Sequence, residues 1–110
     1  MATRSRIGIQ NPDGSVNSIY CHFDGYPEGV GTTLKDYYSD RDKLQQLIEL
    51  GDISELGEDL VNTVAYHRDR DEDYFPSRRN ESLELFKKSD FEEYGYVYTL
   101  ENKWVTLIQN

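Results

Sequence analysis

The chain has 110 residues, of which 21 are acidic, 12 are basic and 36% are apolar, and its formal net charge is −9. That length suits one domain rather than two independent cores, no apolar run approaches the ~20 residues of a bilayer-spanning helix, and the N-terminus carries no hydrophobic leader core. The expectation is a single domain over residues 1–110, neither secreted nor membrane-bound, and too acidic to take nucleic-acid phosphate as a direct ligand.

Arg4 to Gln10 alternates, with Ile7 and Ile9 on one face, and Asn11-Pro12-Asp13-Gly14 supplies turn chemistry before a second extended run. This predicts a β-hairpin whose second strand puts Ile19, Cys21 and Phe23 on one face and Tyr20 and His22 on the other; Val16 falls out of phase, as a bulge would explain. Asp24 to Gly31 contains Gly25, Gly29, Gly31 and Pro27, which reads as a loop of specific shape.

Thr33-Leu34-Lys35-Asp36 resembles a capping box, and Ser39 or Asp40 caps a second helix that runs to Leu50 with Leu44, Leu47 and Ile48 as its apolar stripe and Gly51 as its stop. Over residues 52–66, Leu60, Val61 and Val64 fit a helical face, whereas Thr63 to Tyr66 has strand character; helix is the preferred reading. Residues 67–80 lack periodicity and mix both signs of charge, so they are expected to form a solvated loop, the most mobile part of the chain. A short helix over 82–88 and a second hairpin follow, the latter from Tyr94, Tyr96 and Tyr98 on one face, a turn at Glu101-Asn102 and a return over Trp104–Ile108. The expected fold class is α+β: an antiparallel sheet built from the N-terminal and C-terminal hairpins, with short helices packed on one face.

The charge is unevenly placed. Arg4, Arg6 and Lys35 balance Asp13, Asp24 and Glu28 in residues 1–35, and Lys103 balances Glu101 in residues 94–110, so the whole −9 lies between Asp36 and Glu93. Such a field selects partners and speeds association more than it shapes the fold. The single cysteine, Cys21, alternates with Ile19 and Phe23 and reads as a buried thiol, consistent with a reducing compartment.

Several stretches together resemble a family of small phage and prophage proteins: Ser5 to Ile9, Ser18 to Pro27, Leu50 to Ser54, Thr63 to Arg70, and Glu93 to Tyr98 through Trp104. Many members carry tryptophan where this chain has Phe23 and glycine where it has Asp71. The resemblance implies a viral product made in the cytoplasm of a bacterial host, and implies no chemistry. By analogy with other small acidic phage proteins, it sets an expectation of antagonism towards host machinery, including restriction and CRISPR defence.

Candidate chemical sites are weak. His22, Asp24, His67 and Asp69 have neither the spacing of a metal site nor an accompanying cysteine pair, and structural hydrogen bonding explains them as well. Asp69-x-Asp71-x-Asp73 opens like a calcium loop but places Tyr74 where glycine is needed and Asn80 where a bidentate glutamate is needed. The reading is therefore no enzyme, no cofactor and no metal. For the tyrosine stripe two arrangements stay open, a core beneath the helices or an exposed recognition platform.

The leading expectation is a binding protein that inhibits a bacterial host protein bearing a basic, nucleic-acid-binding surface, whose phosphate contacts the carboxylates imitate. The residues expected to make that contact are Asp36, Asp40, Asp42, Glu49, Asp52, Glu55, Glu58 and Asp59, with Asp69, Asp71, Glu72 and Asp73 as a second group. The alternative is capture of a nucleotide-like ligand by His22, Asp24, Gly25, Tyr26, His67, Arg68 and Arg70, helped by Arg78 and Arg79. Self-association as a homodimer is a further expectation.

Overall fold

The computed structural model describes residues 2–109. The first hairpin pairs β1 (Ser5–Gln10) with β2 (Val16–Cys21), and its turn is closed by the Asp13 carboxylate, which accepts from the Ser15 amide at 2.9 Å while Gly14 takes a φ of +90°. A single π-type turn at Pro27–Gly31 leads into α1 (Thr32–Tyr37), and α2 (Arg41–Glu49) follows, capped by Asp40 through the Asp42 amide at 2.9 Å.

Residues 52–65 are not helical. They form β3 (Ile53–Glu55) and β4 (Val64–Ala65), joined by a turn in which Thr63 and Asp59 satisfy the local backbone. The expected loop over 67–80 begins with one helical turn, α3 (Tyr66–Arg70), and ends in a short strand, β5 (Arg78–Asn80). Then come α4 (Leu83–Lys88), capped by Ser82, and the second hairpin of β6 (Tyr94–Tyr98) and β7 (Trp104–Ile108).

The fold is α+β, as expected, and both hairpins are antiparallel. The sheet that joins them is mixed: its order is β4-β3-β2-β1-β6-β7, with β5 also on β2, and β1 runs parallel to β6 from Ser5↔Tyr94 to Ile9↔Tyr98, as β2 does to β3. Parallel neighbours need a long crossover: residues 22–52 carry the chain from β2 to β3, and β2 with everything between the two hairpins carries it from β1 to β6.

One face of the sheet carries Ile7, Ile9, Ile19, Cys21, Ile53, Tyr96 and Tyr98, covered by Leu34 of α1, by Tyr38 at its C-terminal cap and by Leu44, Leu47 and Ile48 of α2. Tyr96 and Tyr98 are thereby buried, so their stripe is core, not platform. The opposite face is also covered, contrary to the expectation of helices on one side only. There Val16 and Val97 pack against Phe86 of α4 and against Phe91, whose rings stack at 5.9 Å. Val16 is fully buried in an unbroken register with Gln10, so no bulge is present: it is out of phase with Ile19 because it belongs to this second core. Gly8 and Gly95 keep that face thin enough for close packing, since a β-carbon on Gly95 would lie 2.9 Å from the Phe91 ring.

Candidate binding surfaces

The helix α2 organises the acidic surface. Its buried stripe of Leu44, Leu47 and Ile48 turns Asp42, Gln46 and Glu49 outward. At its N-terminal end Asp40 caps the first turn, and the turn at 56–62 is brought alongside when Tyr38 donates to the Gly57 carbonyl at 2.9 Å and Lys43 to the Glu58 carbonyl at 2.8 Å. Glu58 reaches the Tyr37 hydroxyl and, with the charge of Asp36, holds that group above its ordinary pKa. Asp36, Glu58 and Asp59 therefore gather beside the start of α2. At its other end the Glu49 carbonyl accepts from Tyr74 at 3.0 Å, which anchors the segment carrying Asp71, Glu72 and Asp73. Nine residues of helix, about 13 Å, separate the two acidic groups.

Three cations on this side are engaged. Arg41 donates to the Gln10 and Thr99 carbonyls and lies over the Tyr98 ring, Lys43 sits 4.5 Å from the Tyr38 ring centre, and Arg70 pairs with Glu72 at 3.2 Å. Four of the expected carboxylates serve the backbone: Asp40 and Asp59 accept from the Asp42 and Asn62 amides at 2.9 Å each, and two more lie elsewhere in the fold. Asp52 accepts from the Tyr20 amide at 3.0 Å, and Asp69 accepts from the Ala65 amide at 2.8 Å and from Arg68, which lowers its pKa. Glu55 is exposed at the end of β3.

The residues of the expected ligand site are each occupied locally. The His22 ring meets the Tyr20 hydroxyl at 2.6 Å and the Phe23 ring edge-on; His67 meets the Glu72 carbonyl at 2.9 Å and the Tyr74 ring. Arg68 holds the Thr63 carbonyl and Asp69, and Arg79 pairs with Asp13 and Glu81. Gly25 is required by close backbone approach, since a β-carbon there would lie 2.8 Å from the Thr3 carbonyl oxygen; Tyr26 donates to Asp24 at 3.3 Å. Among the described residues no ligand-sized pocket opens, and no three histidine, cysteine or acidic side chains gather as a metal site.

One constellation escapes sequence reading. On the second face Arg6 donates to the Ser18 hydroxyl at 3.0 Å and carbonyl at 2.9 Å, beside Arg78, which donates to the Asp90 carbonyl and the Ser89 hydroxyl at 2.9 Å each. Burial first, then the Arg78 charge, brings Arg6 down to about 10. Among the described residues neither arginine has a carboxylate within ion-pair distance, although the chain is strongly acidic. No helix among the described residues is long and apolar enough to cross a membrane.

Searches with this chain find no matching family model, no similar curated protein and no similar solved structure.

Proposed function

We propose that the chain is a phage-encoded binding protein that inhibits a bacterial host protein by presenting carboxylates along α2 to a basic, nucleic-acid-binding surface. One observation carries this reading: α2 joins two acidic groups end to end, with Asp42 and Glu49 outward between them, while Arg41, Lys43 and Arg70 are held by carbonyls, rings or a carboxylate. Asp42 and Glu49 thus stand outward, while these cations, though still charged, are tethered to the body or to Glu72. Negative potentials accelerate encounter with cationic partners and fix orientation, and they weaken with salt.

The test is capture of proteins from a bacterial lysate on the immobilised chain, followed by elution with salt and, separately, with duplex DNA. A basic nucleic-acid-binding protein should be retained and then displaced by both. The Asp42→Asn, Glu49→Gln, Glu58→Gln triple variant should lose it while keeping its thermal stability, because these side chains are exposed. Retention that ignores salt, competing DNA and the triple substitution would show that another surface binds.

A further inference from the structure

The two edges of the sheet are unlike. At one, β4 has two residues, β3 shifts register between Ile53 and Glu55, and β5 is Arg78-Arg79-Asn80: short, irregular and charged strands that discourage pairing with another chain. At the other, β7 is Trp-Val-Thr-Leu-Ile, with no charge, proline or bulge, and no described element pairs with its outer side. Its Ile108 is 61% exposed.

The direction of its backbone groups is fixed by the ladder to β6. Thr99 donates to the Lys103 carbonyl and Gln109 to the Glu93 carbonyl, so Lys103, Val105, Leu107 and Gln109 face inward, and the N–H and C=O groups of Trp104, Thr106 and Ile108 face outward. We propose that these outward groups pair with the same three residues of a second copy of this chain, antiparallel about a two-fold axis at Thr106, making one continuous sheet.

The strand is self-complementary in that register. Thr106 meets Thr106 of the second copy, Trp104 meets Ile108, and Val105 meets Leu107, so hydroxyl opposes hydroxyl and apolar opposes apolar on both faces. All the outward groups of Trp104, Thr106 and Ile108 are then satisfied; a shift by two residues leaves some unpaired. Charge permits the contact here and opposes it elsewhere. Residues 94–110 carry only Glu101 and Lys103, and the acidic α2 packs on β1 and β2. Two copies of β1 stand five strand spacings apart in the joined sheet, about 24 Å, more than two Debye lengths at physiological salt.

Sedimentation across a concentration series tests this, with the 12.9 kDa chain expected to reach twice its mass. Thr106→Lys places like charges opposite each other on the axis and should raise the dissociation constant about tenfold, with the monomer's thermal unfolding unchanged because Thr106 is exposed. Mixing Thr106→Lys with Thr106→Asp should restore a heterodimer, since only a residue on the axis meets its own counterpart. A wild-type chain that stays monomeric throughout, a dimer indifferent to Thr106→Lys, or a mixture that fails to associate overturns the proposal. So does a monomer that instead captures another protein's strand along β7.

Discussion

The Tyr96 hydroxyl donates to the Gly25 carbonyl at 2.6 Å across 71 residues of sequence, joining the middle of the sheet to the loop that follows the first hairpin. Both residues are buried, and Gly31 packs against the same ring, its β-carbon position 3.2 Å from the ring edge. Tyr96→Phe keeps the ring and removes the donor, leaving a buried carbonyl unpaired. The expected cost is about 1–3 kcal/mol, read as a lower midpoint at unchanged slope in urea unfolding. An unchanged midpoint would mean that the Gly25 carbonyl finds another donor.

Stability should fall as pH rises above 9. Burial pushes the Cys21 thiol up from 9.0 to about 12, so the unfolded chain releases this proton first and the folded chain holds it. The contribution is complete below pH 9 and is lost as pH rises towards 12, about 4 kcal/mol over three pH units. Buried Tyr96, also raised, acts in the same direction from pH 10 upward. Arg6, lowered to about 10 from 12.5, acts oppositely above pH 10, because there the unfolded chain binds more protons than the folded one. The interval from pH 9 to 10 is therefore where Cys21 contributes most. Thermal midpoints should decline across it in the wild type and decline less in Cys21→Ala, whatever that variant's starting stability.

Gly51 ends α2 with a φ of +79°, and a β-carbon there would lie 2.5 Å from the Phe75 carbonyl oxygen, the group that accepts from the Asp52 amide. Gly51→Ala therefore combines left-handed strain with a backbone clash and should cost more than the ~1 kcal/mol of strain alone. Because the clash falls on Phe75, amide exchange should quicken at Asp52 and at Tyr74 before it does in the β1–β2 hairpin.

Local signals explain what the sequence revealed. Both hairpins were legible because alternation and turn residues lie within a few positions of each other, and α2 and α4 because Asp40 and Ser82 announce their caps. The strands β3 and β4 were not, because two or three residues show no period and Leu60, Val61 and Val64 mimic a helical face. The parallel pairing of β1 with β6 is a contact between residues almost 90 positions apart, and neither strand states its partner. The acidic residues could be named but not sorted: that Asp52 and Asp69 serve the backbone while Asp42 and Glu49 face outward depends on tertiary placement. Arg6 was hidden for the same reason. In an alternating strand it reads as solvent-facing, and only the second layer, with Arg78 and α4, makes its position half-buried.

The segment 73–77 should exchange its amides fastest in the isolated protein. It contains no helix or strand, it is exposed from Asp73 through Pro76, and it is tied to the body through Tyr74 to the Glu49 carbonyl and through the Phe75 carbonyl to the Asp52 amide. Two such bonds, worth about 1 kcal/mol each, do not offset ordering five residues at about 1–2 kcal/mol apiece. The turn of α3 should exchange more slowly, since the Asp71 and Glu72 amides both return to the Tyr66 carbonyl. Protection across 73–76 equal to that of β1 would show a rigid segment instead.

Val16 distinguishes a sheet covered on both faces from one covered on one. In a hairpin open to water on its second face, Val16 would lie at a wet strand end, and threonine, with similar shape and good strand propensity, would replace it at little cost. Here Val16 is fully buried against Phe86, Phe91 and Val97, its methyl lies 3.0 Å from where a β-carbon on Gly8 would stand, and Asn80 pairs with it across β5. A hydroxyl introduced there is taken from water into an aromatic pocket, which costs about 1–3 kcal/mol unless it finds an acceptor. A candidate on the paired residue is the Asn80 side-chain oxygen, itself buried without a donor among the described residues. Val16→Thr should accordingly destabilise by about 1–3 kcal/mol in wild type and by the same or more in Asn80→Ala, which removes that oxygen. A neutral Val16→Thr in both backgrounds would return α4 to solvent and leave the sheet with a single core.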